Sequence, residues 1–279
     1  MNIFQCGRYR FNMEGPDARP LVMGILNITH DSFSDGGQYV SLSSALKHAE
    51  EMIECGVDII DIGAESSRPG ADPVPLQEEL DRLLPVVEAL KDCGKPLSID
   101  TYKPETMLAA LNAGADMIND IYGFQSDQSK QVVKDFATCG LCIMHMQGIP
   151  KVMQNQPQYN DVVSDVYHFL KQQSDTLMAL GIEKERITID PGFGFGKTKE
   201  NNLTLLKNLS VLKEKLGIPI LAGLSRKTVI GQITGKLVDK RLAGNIAAAL
   251  VAIENHAMIL RVHDVSETVD AIKIWKATH

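Results

Sequence analysis

Eight times along the chain a short apolar, β-branched run stops on a polar residue: VMGILN at Asn27, VDIID at Asp61, LSID at Asp100, ADMIND at Asn119, CIMH at His145, RITID at Asp190, PILAGLS at Ser225, and MILRVH at Arg261 and His263. Runs this apolar suit strands covered on both faces, as in parallel sheets. Helix-patterned stretches separate them and supply the crossovers that parallel pairing needs. Eight such units predict a (β/α)8 TIM barrel, whose active site lies at the C-terminal ends of the strands. The polar residues then gather at one mouth, where they are candidates for chemistry.

A barrel of this kind takes about 250 residues, so 279 residues leave room for a short extension, and residues 1–279 are expected to form one domain. Hydrophobic content of 44% supports a sizeable core, and a formal charge of −7 argues against non-specific nucleic-acid binding. Anionic ligands must be held by local cations. MNIFQCGRYRFNMEG lacks the long apolar centre of a signal peptide, and no stretch of about 18 apolar residues occurs, so no membrane partner is expected and the location is expected to be cytoplasmic. Five scattered cysteines, Cys6, Cys55, Cys93, Cys139 and Cys142, fit reduced thiols better than a disulfide framework. Cys139 and Cys142 have C-x-x-C spacing but no second pair to complete a zinc site, and they read as buried structural residues.

Residues 3–5 and 8–11 flank Gly7 and predict a short N-terminal β-hairpin capping the barrel floor. Helices are expected from Leu42 to Gly56, after Pro75 to Gly94, from Pro104 through the following ten residues, and over 127–138, 160–180, 201–216, 239–255 and 264–276. Another begins near Gly231. Two stretches rich in Gly, Ser, Asp and Pro, 28–40 and 63–75, are long for barrel connections and read as lids over the mouth. A third irregular stretch, 146–159, reads as a polar surface excursion.

The sixth run leads into Asp190-Pro-Gly-Phe-Gly-Phe-Gly-Lys197, whose glycines let backbone approach a flat ligand and whose rings can stack on it. It lacks the spacing of a phosphate-binding P-loop, and a structural turn is the alternative. Ser225-Arg226-Lys227 and Arg261-Val-His263 follow the seventh and eighth runs, where barrels commonly bind phosphate. Three cationic side chains converging in an acidic protein favour an anion site over scattered surface charge. Asp100, Asn119 and Asp190 end three runs at the barrel centre, where unpaired polar groups are costly. A heterocycle with several N–H donors satisfies them; a structural network with Lys227 and backbone N–H groups is the alternative.

Asn27-Ile-Thr-His-Asp-Ser-Phe-Ser-Asp-Gly-Gly37, Gly63-Ala-Glu-Ser-Ser-Arg-Pro-Gly70, Ser98-Ile-Asp-Thr101, Ile118-Asn-Asp120, Met144-His-Met-Gln-Gly148, Asp190 to Lys197, Ser225-Arg-Lys227 and Arg261-Val-His-Asp264 together resemble the dihydropteroate synthases of folate biosynthesis. The resemblance spans the chain. It implies a transferase that joins 6-hydroxymethyl-7,8-dihydropterin diphosphate to 4-aminobenzoate, releasing pyrophosphate and 7,8-dihydropteroate by an ionising, Mg²⁺-assisted displacement, and a sulfonamide target. By the same resemblance Asp100, Asn119, Met144, Asp190 and Lys227 hold the pterin, Asn27 binds Mg²⁺, and Arg68, Arg261 and His263 grip the diphosphate with Asn27. Phe33, Ser67, Arg68, Pro69, Phe195, Ser225 and Arg226 surround the aminobenzoate, and Asp35 joins Lys227, Arg261 and His263 in catalysis.

Position divides these residues into a central set, Asp100, Asn119 and Asp190, and a cationic rim, Arg68, Lys227, Arg261 and His263, with Asp61 and His145 in support. His30 and Ser67 stand where the family has Pro and Thr, which implies looser packing of the aminobenzoate. The resemblance also implies a homodimer formed through the later helices. A pterin-binding methyltransferase that serves a corrinoid protein has a similar barrel and is the competing reading, but it has no diphosphate to hold. A barrel retained only to bind a partner is a further reading, which the full set of matched catalytic positions disfavours.

Overall fold

A computed structural model describes residues 3–15, 18–28, 38–66, 70–148, 153 and 157–279, with the side chains of 38–41 left aside. Strands β1 (Ile3–Cys6) and β2 (Tyr9–Asn12) pair antiparallel as the expected hairpin, each shifted or extended by a residue. Gly7 makes the turn at φ +58°, and its N–H donates to the Thr138 carbonyl at 2.9 Å. A Cβ there would collide with the Asp116 carboxylate, so only glycine lets the hairpin dock so closely.

Among the described residues eight strands follow: β3 (Leu21–Asn27), β4 (Ile59–Gly63), β5 (Leu97–Asp100), β6 (Met117–Asp120), β7 (Gly140–Met144), β8 (Ile187–Asp190), β9 (Ile220–Ala222) and β10 (Ala257–Val262). They form a closed parallel barrel in the order β10-β3-β4-β5-β6-β7-β8-β9. β3 is buried except at Asn27, and β4, β6, β7 and β8 are buried throughout, as two-sided coverage requires.

Two apolar masses hold the barrel. Phe4, Cys6 and Met13 from the hairpin region close its floor with Leu21, Met23, Ile59, Met117, Cys142, Leu221 and Ile259, while a larger core lies between strands and helices. All five cysteines are free thiols, and burial pushes those of Cys6, Cys139 and Cys142 up, Cys139 to about 12. These three thiols pack as apolar side chains within the cores.

The helices are α1 (Gln38–Glu54), α2 (Leu76–Leu90), α3 (Pro104–Ala113), α4 (Asp127–Asp135), α5 (Val162–Ala179), α6 (Lys199–Lys207), α7 (Leu209–Leu216), α8 (Thr228–Thr234), α9 (Leu242–Glu254) and α10 (Val265–Thr278). Ser126, Asp161 and Thr198 cap α4, α5 and α6 through their side chains, and Gly114, Gly217 and Gly235 end α3, α7 and α8 in the left-handed conformation.

Several helix ends shift by a few residues from the sequence reading, and three differences have a clear local cause. α1 begins at Gln38, inside the stretch read as loop, because no helix breaker separates Gln38 from Ser41. The expected helix 201–216 breaks at Asn208, whose amide donates to the Thr204 carbonyl at 2.7 Å and ends α6 there. α4 stops at Asp135 because Phe136 turns extended and packs against the core. Among the described residues no helix is long and apolar enough to cross a membrane.

Candidate active site

The strand register sets the depth of each polar residue. Asp61 lies beside Ser98, and one layer nearer the mouth Asp100 lies beside Asn119, which neighbours Cys142 and through it Thr188. Met144 and Asp190 pair one step further out. Arg261, on β10, reaches across the lumen: its Nε donates to Asp61 at 2.6 Å and its Nη2 to Asp100 at 2.7 Å. Asp61 is 0% exposed and also accepts a long bond from the Asn119 amide at 3.4 Å.

This arrangement corrects the division into centre and rim. Arg261 belongs to the centre, because two buried carboxylates need an internal counter-charge. The two carboxylates and the nearby anions hold its pKa well above the ordinary value. Burial pushes Asp100 up to about 7; Arg261 pulls it down and Asp61 pushes it further up.

Lys227 is central too. Its ammonium donates to the Phe193 carbonyl and lies 4.3 Å from the centroid of the Phe195 ring. Burial lowers its pKa to about 8, opposed by Asp190 and Asp100. Asp190 accepts the Gly192 N–H at 2.7 Å, and burial raises its pKa although Lys227 draws it down. The loop between them alternates left-handed glycines, Gly192, Gly194 and Gly196, with the two phenylalanines. Met144 and Phe195 pack with Ile121, Met146 and Met153, and Tyr102 and Tyr122 border them. The result is an apolar wall beside a strip of hydrogen-bonding groups, which suits a flat ligand with a polar edge.

At the mouth Ser225 Oγ lies 3.1 Å from His263 Nδ1. Arg226 adopts φ +61°, and its guanidinium meets Asp264 at 2.7 Å. Two residues absent from the sequence reading hold this turn, and a third, Lys103, holds the second loop. Asn245 accepts the Arg226 N–H at 3.0 Å and donates to Asp264 at 2.9 Å, and Arg241 donates to the Arg226 carbonyl at 2.8 Å. Lys103 joins Glu65 at 2.5 Å, Glu79 at 2.6 Å and the Val74 carbonyl at 2.8 Å, anchoring the far end of the second loop. A buried Asn inside the otherwise apolar RLAGNIAAAL was the available signal for the first.

Phe33, Asp35, His30, Ser67, Arg68 and Pro69 lie outside the described residues, as does most of the 28–40 stretch. Asn27 is exposed at the end of β3 and pairs in register with Gly63, where a Cβ would touch both the Asp100 carboxylate and the Asn27 side-chain oxygen. Among the described residues no cluster of three His, Cys, Asp or Glu could enclose a metal. One neutral oxygen donor fits a Mg²⁺ that takes most of its ligands from phosphate and water.

A family model described as pterin binding enzyme matches residues 23–263. The chain is 49% identical over 262 residues to the dihydropteroate synthase of Haemophilus influenzae, covering 93% of this chain and 94% of that one. The chain belongs to the dihydropteroate synthase family. Two solved family structures superpose closely. The Burkholderia cenocepacia enzyme complexed with 7,8-dihydropteroate is 49% identical, with TM-score 0.89 over 99% of this chain and 96% of that one. The Xanthomonas albilineans enzyme with 4-aminobenzoic acid is 45% identical, with TM-score 0.91 over 99% and 98%.

Proposed function

We propose that this protein condenses 6-hydroxymethyl-7,8-dihydropterin diphosphate with 4-aminobenzoate, giving 7,8-dihydropteroate and pyrophosphate. The observation that carries this reading is the buried strip Asp61, Asp100, Asn119, Asp190, Arg261 and Lys227 beside the Met144 and Phe195 wall. The relative bound to 7,8-dihydropteroate supports it, because that molecule contains both joined rings. A methyltransferase serving a corrinoid has no use for the Ser225, Arg226 and His263 group at the mouth.

Asp100, Asn119 and Asp190 accept from and donate to the pterin edge, Lys227 caps it, and Met144 lies on its face. Arg68, Arg261 and His263 take the diphosphate, and Ser225, Arg226 and Phe195 receive the aminobenzoate together with Phe33, Ser67 and Pro69. Mg²⁺ held through Asn27 and the substrate oxygens would neutralise charge on the leaving group. The methylene C–O bond breaks with its electron pair leaving on pyrophosphate. The electron-rich pterin spreads the resulting positive charge, and we assign Asp35 the role of favouring it. The aniline nitrogen then bonds to the methylene carbon and loses a proton. No strong base is required, and positioning with fixed charges supplies the rate.

Purified protein with Mg²⁺ and both substrates is expected to release pyrophosphate and dihydropteroate, followed by chromatography; no product at micromolar enzyme would overturn the reading. Lys227→Ala is expected to weaken pterin binding and His263→Ala to slow diphosphate departure. We further propose a cytoplasmic homodimer, in keeping with the free thiols and with the exposed Ile233, Leu237, Val238 and Leu242 near α8 and α9. Sedimentation equilibrium tests it, and a monomer at micromolar concentration counts against it.

A further inference from the structure

Lys197 is the last residue of the glycine-rich motif, and the proposed reaction assigns it nothing. Its side chain is only 3% exposed. A buried ammonium is costly unless a carboxylate or several acceptors surround it. No carboxylate lies within ion-pair distance among the described residues; the partners are the carbonyls of Gly192 at 2.9 Å, Phe195 at 3.0 Å and His145 at 3.2 Å, with His145 Nδ1 at 2.9 Å. Carbonyl oxygens only accept, so an ammonium suits this cage, its three protons serving four acceptors with one of them shared. Burial draws the Lys197 pKa down, and it also holds His145 neutral, pulling its pKa down to about 2. Neutral His145 can then accept at Nδ1.

The cage has a direction. Alternating left-handed glycines turn successive carbonyls to opposite sides of the loop. Those of Gly192 and Phe195 face Lys197, whereas that of Phe193 faces Lys227. Gly192 also donates its N–H to Asp190, and Phe195 places its ring under the Lys227 ammonium. A methionine would fill the volume, but it would strip the ammonium from the Phe195 and His145 carbonyls and leave that of Gly192 held only by the Phe195 N–H at 3.1 Å.

We propose that Lys197 is a positioning residue: by gathering the 192–196 loop onto the backbone at His145, it sets where Lys227 and Asp190 meet the pterin. This rests on the pterin reading above. The test is a double-mutant cycle on the binding of 6-hydroxymethyl-7,8-dihydropterin, without diphosphate, followed by calorimetry. Lys197→Met is expected to weaken binding about tenfold in the wild-type background and less than about twofold in a Lys227→Ala background. Equal fold-changes in the two backgrounds would mean packing alone and would overturn the inference.

If Lys197→Met does not fold by circular dichroism, Lys197→Gln, which keeps two donors, takes its place in the same cycle with the same criterion. Should the wild-type protein bind no pterin, the functional reading fails, and the ¹³C resonance of the ligand-free Lys227 ε-carbon decides this inference separately. A resonance displaced by the Lys197 substitution upholds it, and an unmoved one refutes it.

Discussion

Replacing Arg261 by methionine strips the lumen of the charge between Asp61 and Asp100. Both carboxylates then lie buried, with Asp61 fully enclosed and Asp100 10% exposed at its side chain, and both have lost charged bonds of 2.6 and 2.7 Å. Removing one partner of a buried pair costs about 3–5 kcal/mol. The loss depends on pH, because Asp100 escapes it by taking up a proton. In the variant the folded pKa of Asp100 lies above the unfolded value, so the folded state binds more protons and stability falls as pH rises toward the folded pKa. Each pH unit over which one extra proton is retained is worth about 1.4 kcal/mol. With that proton held up to about pH 7, where burial already places Asp100, moving from pH 7 to 5.5 recovers about 2 kcal/mol. Urea unfolding at pH 5.5, 7 and 8, read by fluorescence and circular dichroism, measures this. Adding Asp61→Asn and Asp100→Asn to Arg261→Met should restore most of the loss at pH 8. A destabilisation of the single variant that is below about 1 kcal/mol, or equal at every pH, would refute the reasoning.

Pterin affinity should peak between about pH 7 and 8: acidification through the first value protonates Asp100, and alkalinisation through the second discharges Lys227. A calorimetric profile flat within twofold from pH 6 to 9 would exclude this. Gly192→Ala sets a side chain against the His145 carbonyl in addition to forcing φ +70°, whereas Gly181→Ala at φ +88° meets nothing; thermal melts should show the first losing clearly more than the roughly 1 kcal/mol of backbone strain expected for the second. Asn245→Ala releases the Arg226 turn and should raise the aminobenzoate KM by roughly fivefold, about 1 kcal/mol, while leaving pterin affinity in place. Ser67→Thr should tighten aminobenzoate and alter sulfonamide inhibition constants; unchanged constants would remove the idea of a loosened wall.

Strand ends were readable in the sequence because an apolar run buried on both faces leaves its first polar residue conspicuous: Asn27, Asp100, Asn119 and Asp190 all close or nearly close their strands. Partnership was not. Nothing local in Arg261-Val-His263 says that the guanidinium spans the lumen to strands 200 and 161 residues away in sequence, at Asp61 and Asp100. Lys227 was placed on the rim by its loop, yet the long side chain reaches inward to the Phe193 carbonyl. Asn208 ended a helix through one side-chain bond, a choice that amphipathic spacing does not record. Lys197 was visible as a motif residue, but its burial follows from left-handed glycines that fold the loop back on it.

Closure of the barrel has a kinetic side. β10 is the strand that joins β9 to β3, so until it arrives two sheet edges stand open and every earlier strand lies in an unclosed, easily mispaired ribbon. β10 also carries Arg261, which neutralises acids from β4 and β5. A nascent chain lacking its final strand therefore keeps Asp61 and Asp100 hydrated, and their unbalanced charge opposes premature collapse of the lumen. Ring closure and dehydration of the Asp61 and Asp100 carboxylates are therefore expected to coincide.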